Sequence, residues 1–234
     1  MSSFTEGSRL GIPIALGYFA VSFTFGIAAA RGGISAWQAA FISLTNVTSA
    51  GQLAGLGIIL ASGSLWEMAL SQFIINLRYS LMSLSISQKL SARTPLFHRF
   101  LMAFGMTDEI FAISAMQKNP LAPSFMYGAM ALAIPGWVLG TWVGAMAGSL
   151  LPSYLMSALG VAIYGMFIAI IVPPAKRDPA VLTAVVLAMV LACLFHFLPL
   201  LNRVSGGFVI IICTILAAGL MAWLMPIEEE PDDV

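Results

Sequence analysis

One ionised side chain, Arg78, sits deep inside an apolar stretch, Leu65–Ile86 (LWEMALSQFIINLRYSLMSLSI). That stretch is long enough to cross a bilayer as a helix. A guanidinium stays charged at any working pH, and in hydrocarbon it costs at least about 2.5–3.5 kcal/mol on insertion scales. Such a residue is expected to face a polar cavity, a partner charge or a substrate. Its planar fork matches a carboxylate at two points, so the chemistry it suits is recognition of an anionic group. Asn76 lies two residues before it and Tyr79 follows it.

A second polar group lies in the preceding apolar segment, Thr45-Asn46-Val47-Thr48-Ser49-Ala50-Gly51-Gln52. Ser, Thr and Asn side chains compete for backbone hydrogen bonds, and Gly51, Gly55 and Gly57 weaken the helix further. The run is expected to break its helix. Freed backbone groups and the side chains of Asn46, Thr48, Ser49 and Gln52 would then hold a polar solute, as broken helices do in secondary transporters. The competing reading is polar glue between closely packed helices.

Asp108 and Glu109 are candidates for proton carriers or for counter-ions to Arg78. An interfacial acidic pair balancing Arg99 and Lys118 is the plainer alternative. Glu67 is expected to reach water from the outer end of its span, and His196 to pack near the outer end of another. Gly136, Gly140, Gly144 and Gly148 repeat every four residues and form a smooth helix ridge, suited to close helix packing. Pro135 is expected to kink that helix. No nucleophile elbow, P-loop, dinucleotide fingerprint or metal-ligand cluster is present in the sequence, so neither an enzyme nor a metal or cofactor protein is expected.

These residues need a membrane scaffold to position them. The 234-residue chain is 60% hydrophobic and only 9% charged, far below the charge of a soluble domain. An all-α polytopic membrane helix bundle is expected, a single domain of about seven segments: Leu10–Ala30, Ala36–Ala61, Leu65–Ile86, Phe125–Leu150, Tyr154–Val172, Ala180–Leu198 and Gly206–Met225. Residues 87–124 form a basic connector. Within it, Phe100–Met116 reads as one amphipathic or re-entrant helix against the bundle. Spans one to three and four to six permit an inverted three-plus-three repeat.

With these spans, one side receives Arg31, Lys89, Arg93, Arg99, Lys118, Lys176 and Arg177, and the other only Arg9 and Arg203. The positive-inside rule then puts the connector and the acidic tail, residues 227–234, in the cytoplasm and the N-terminus outside. Cys193 and Cys213 lie in apolar runs and read as lipid-facing or packed residues.

Three ordered motifs carry a family resemblance. They are Thr48-Ser49-Ala50-Gly51-Gln52 in the second span, Asn76-Leu77-Arg78-Tyr79 in the third, and Thr107-Asp108-Glu109-Ile110-Phe111 in the connector. Together they resemble the AzlC-type branched-chain amino acid permease family of bacteria. The family more often has Ala-Gly where this chain has Thr48-Ser49, and often a histidine where it has Tyr79. The resemblance implies export of branched-chain and similar apolar amino acids across the cytoplasmic membrane. It also implies a small hydrophobic partner subunit of the AzlD type. On that reading Arg78 holds the substrate carboxylate, and Asn46, Gln52 and Asn76 orient its polar groups. Phe23 and Phe73 take its aliphatic tail. A non-transporting assembly subunit and a passive channel for small zwitterions are the other functions this sequence admits.

Overall fold

The computed structural model describes residues 3–118, 120–148 and 171–225, with isolated positions at 152, 154, 165, 167 and 168. The acidic tail and nearly all of the expected span Tyr154–Val172 lie outside the described residues. The architecture is that of an all-α membrane protein, with α1 Phe4–Arg31, α2 Ala36–Thr45, α3 Ser49–Leu60, α4 Leu65–Lys89, α5 Leu96–Phe104, α6 Asp108–Ala115, α7 Pro123–Gly148, α8 Pro179–Phe197 and α9 Gly206–Leu224. Of these, α1, α7, α8 and α9 are long and apolar enough to cross a membrane. The chain divides into two compact units, Met1–Leu56 with Ile75–Tyr164, and Gly57–Ile74 with Gly165–Val234.

The first unit is organised by α1 and α7, which touch backbone to backbone. Glycines make this approach feasible. A Cβ added at Gly7 would lie 1.9 Å from the Phe125 carbonyl oxygen, at Gly128 2.1 Å from that of Phe4, and at Gly144 2.1 Å from that of Phe23. Gly136 and Gly140 face Ala15 and Phe19, and Gly148 faces Ala30. The ridge Gly136–Gly140–Gly144–Gly148 thus lies against α1. Pro135 is contained within α7.

These contacts also fix a direction. Residue numbers rise together along the seam, from Gly7 beside Phe125 to Ala30 beside Gly148, so α1 and α7 run parallel. The seven-span expectation requires them antiparallel, because it places two full crossings between them and leaves the connector on one side. The span count between α1 and α7 is therefore corrected.

Two expected elements are broken helices. The second span is interrupted at Asn46-Val47-Thr48, where α2 ends and α3 begins. Asn46 closes α2 through its N–H to the Ile42 carbonyl, and Thr48 opens α3 by accepting the Gly51 N–H at 3.3 Å. The expected single helix Phe100–Met116 is likewise two helices, α5 and α6, separated at Gly105-Met106-Thr107. Thr107 takes an extended backbone and caps α6 by accepting the Ile110 N–H, which a continuous helix would not allow.

In the second unit, Glu67 departs from expectation. It is 4% exposed rather than in water. Its Oε1 accepts the Ser205 hydroxyl at 2.6 Å and the Gly207 N–H at 2.9 Å, so it caps the start of α9. A carboxylate is favoured there, where a helix presents unpaired N–H groups and the positive end of its dipole. Glu67→Ala would strand both donors, an expected loss of about 1–3 kcal/mol. Glu67→Gln keeps an acceptor and should retain most of the stability. Thermal denaturation of the two variants in detergent checks this.

Candidate functional site

Tyr18 stands halfway along α1, and Trp137 halfway along α7, so both mark the middle of the bilayer if these helices span it. Their rings meet edge to face with centroids 5.3 Å apart. Both broken helices lead to this level.

From α3, Gln52 reaches Trp137. The indole N–H can only donate, and it lies 3.2 Å from Gln52 Oε1, which fixes the amide orientation. The same oxygen accepts the Ser43 hydroxyl at 3.2 Å. Since the Ser43 proton goes to Gln52, Thr141, 2.6 Å from the Ser43 oxygen, must be the donor of that pair. Ser43, Gln52 and Thr141 are all fully buried. The Gln52 Nε2 group, with two N–H donors, has no partner among the described residues. A buried donor left unpaired is costly, so this is an available binding group.

From α6, Glu109 accepts the Tyr18 hydroxyl at 2.5 Å. Beside it, Asp108 Oδ1 lies 3.0 Å from Arg78 Nη1, and both side chains are half-exposed, at 39% and 48%. Arg78 Nη2 donates to the Tyr79 hydroxyl at 3.1 Å, and its guanidinium stands over the Tyr79 ring at 4.9 Å. The Tyr79 side chain in turn lies near that of Thr48. A continuous polar path therefore runs from Thr48 at the first break, through Tyr79 and Arg78, to Asp108 at the second.

The structure brings Arg78, Thr48 and Asp108 into one path, with Glu109 next in sequence to Asp108. Gln52 and Ser49 belong to the first turn of α3, and Asn46 to the break before it. Asn76 lies on α4 two residues from Arg78, about 200° around the helix, so the two side chains leave it on nearly opposite sides. Phe23 belongs to the α1–α7 seam and Phe73 is exposed on α4. Neither is shown beside Arg78. The aromatic groups at this level are Tyr18, Trp137 and Tyr79. Sequence reasoning missed Tyr18, Ser43, Trp137 and Thr141 as site residues. Nothing local marks them, because each is joined to its partner across distant chain segments or a turn.

A family model described as AzlC protein matches residues 13–151, which contain every residue of this path. The chain belongs to the AzlC family. An uncharacterized membrane protein of Archaeoglobus fulgidus is 34% identical to it, over 94% of each chain. Inner membrane protein YgaZ of Escherichia coli K12 is 28% identical, over 98% of this chain and 95% of that one. A membrane protein of Helicobacter pylori J99 is 28% identical over 64% of this chain and 66% of its own length. No solved structure matches. The present AzlC-family chain is thus a helical membrane protein whose matched region includes α2–α6 and the Arg78 path.

Proposed function

We propose that this AzlC-family protein is a secondary transporter that exports branched-chain and similar apolar amino acids across the cytoplasmic membrane, together with a small hydrophobic AzlD-type subunit. The observation that carries the reading is Arg78. Its charge is at mid-depth, half-exposed, and held between two helix breaks by one carboxylate and one neutral hydroxyl. A purely structural ion pair gains little from a position that solvent or solute can reach.

The substrate carboxylate would compete with Asp108 for Arg78. Protonation of Asp108, which faces Arg78 and adjoins Glu109, would release the guanidinium to the substrate. Departure of the substrate would return it to Asp108. The Gln52 amide N–H groups would supply further donors, and Thr48 and Ser49 at the start of α3 the remaining polar contacts. Aromatic surface at Tyr18 and Trp137 would meet the aliphatic tail.

The test is leucine efflux from cells preloaded with a leucine dipeptide, with and without the chain and its presumed partner. Faster efflux with the chain is expected. No change, with both subunits present in the membrane, would remove this substrate class and favour a non-transporting assembly subunit. Asp108→Asn mimics the protonated carboxyl permanently. It is expected to keep leucine binding and to abolish the response of efflux to external pH, measured across a series of buffers.

A further inference from the structure

We infer that α2–α3 and α5–α6 are two re-entrant hairpins that enter the membrane from opposite faces and meet at Arg78, and that the N-terminus is cytoplasmic. The inference goes beyond the transport reading and does not depend on what is carried. It starts from the ends of three helices. Because α1 and α7 are parallel, both begin on one face of the bilayer. The carboxyl end of α4 is on that face too, since the Leu121 N–H, just ahead of α7, donates to the Lys89 carbonyl at 2.9 Å. The Lys89 ammonium reaches the carbonyls of Ala115 and Gln117, at the end of α6.

So α4 ends, and α7 begins, on the same face, and α5–α6 between them makes no net crossing. Yet Glu109 at the start of α6 bonds to Tyr18, halfway along α1. The pair therefore dips to mid-depth and returns. Its helices of 9 and 8 residues are about 13 and 12 Å long, close to half of a hydrocarbon core of about 30 Å.

The second pair, α2–α3, is joined to the end of α1 by a short turn, so it starts on the face where α1 ends. Its break leads to the level of Trp137, halfway along α7, whose indole N–H donates to Gln52 just after the break. There the chain folds back on itself, so α3 returns toward the face from which α2 came. Ser43 before the break touches Gln52 after it at 3.2 Å. A straight helix would separate two such positions by about 13 Å. Non-helical backbone at this depth is tolerated because it is packed in protein.

Charge then sets the orientation. Within the first unit, the face where α1 and α7 begin carries Arg9, Lys89, Arg93, Arg99 and Lys118, and the opposite face carries Arg31. By the positive-inside rule the first face is cytoplasmic. The α2–α3 hairpin stands between Arg78 and the outside, and α5–α6 between Arg78 and the cytoplasm.

Single cysteines at Thr5, Gly32, Ala61 and Ala92, in a chain with Cys193 and Cys213 changed to serine, test this with a membrane-impermeant maleimide on intact and on permeabilised cells. Labelling of Gly32→Cys and Ala61→Cys in intact cells, and of Thr5→Cys and Ala92→Cys only after permeabilisation, is expected. Gly32→Cys and Ala61→Cys reacting from opposite sides would overturn the outer hairpin. Thr5→Cys reacting in intact cells would overturn the orientation. If a cysteine variant is absent from the membrane, a protease site inserted at the same loop gives the same reading from protection.

Discussion

Replacing Arg78 by alanine is expected to lower leucine efflux by about tenfold to a hundredfold, with the protein still present in the membrane at its normal level. A hydrogen bond to a charged group is worth about 1.5–3 kcal/mol, which corresponds to that range in affinity. The protein should survive the change because the Arg78–Asp108 pair is half-exposed, and the α1–α7 seam that organises the unit does not include it. Arg78→Lys separates two roles for the same residue. Lysine offers a point charge without the fork. If Arg78 only locks α6 to α4, lysine should restore efflux. If it grips a carboxylate at two points, efflux should stay low while membrane levels remain normal. Efflux measured beside quantified expression decides between them.

The largest effect on stability is expected at the α1–α7 seam. Gly128→Ala and Gly144→Ala each place a methyl carbon 2.1 Å from a carbonyl oxygen of the opposing helix. No rotamer change can relieve a clash with backbone, so α1 and α7 must separate along their length. Overpacking in a filled core typically costs about 1–3 kcal/mol. A contact with backbone should reach the upper end, and the double variant should be largely lost from the membrane. Gly17→Ala is the control. Nothing lies within 4 Å of a Cβ there, and alanine raises helix propensity by about 1 kcal/mol. Thermal stability in detergent should therefore move in opposite directions for Gly144→Ala and Gly17→Ala. Equal losses in both would mean that the seam is not what holds the unit together.

The helical membrane class was legible because composition alone decides it. A chain with 9% charged residues and apolar runs of bilayer length has no soluble alternative. The first helix break was legible for a local reason: Asn46, Thr48 and Ser49 carry side chains that compete for their own backbone. The second break was read only as a polar centre at Thr107-Asp108-Glu109. The direction of the chain there could not be judged without the Lys89–Leu121 contact. Charge counting gave a clean partition for seven alternating spans. Exchanging Arg9 and Arg31 between the two faces leaves that partition just as clean, so the count could not choose between topologies.

Four properties were fixed by residues read in order along the chain: the solvent, the helical class, the family and the presence of one charge, Arg78, within an apolar segment. These depend on composition and on runs of adjacent residues. Only the folded chain shows that α1 and α7 are parallel, that Glu67 is buried as a cap, and that Tyr18, Trp137, Ser43 and Thr141 join the candidate site. Each of these depends on a pairing across chain separations that no local pattern encodes. The Tyr18–Glu109 bond spans 91 residues and the Glu67–Ser205 bond 138. In a bilayer the hydrophobic effect drives helices into the membrane but does little to choose their neighbours. That choice falls to glycine surfaces and buried polar partners, and these are revealed only when the helices meet.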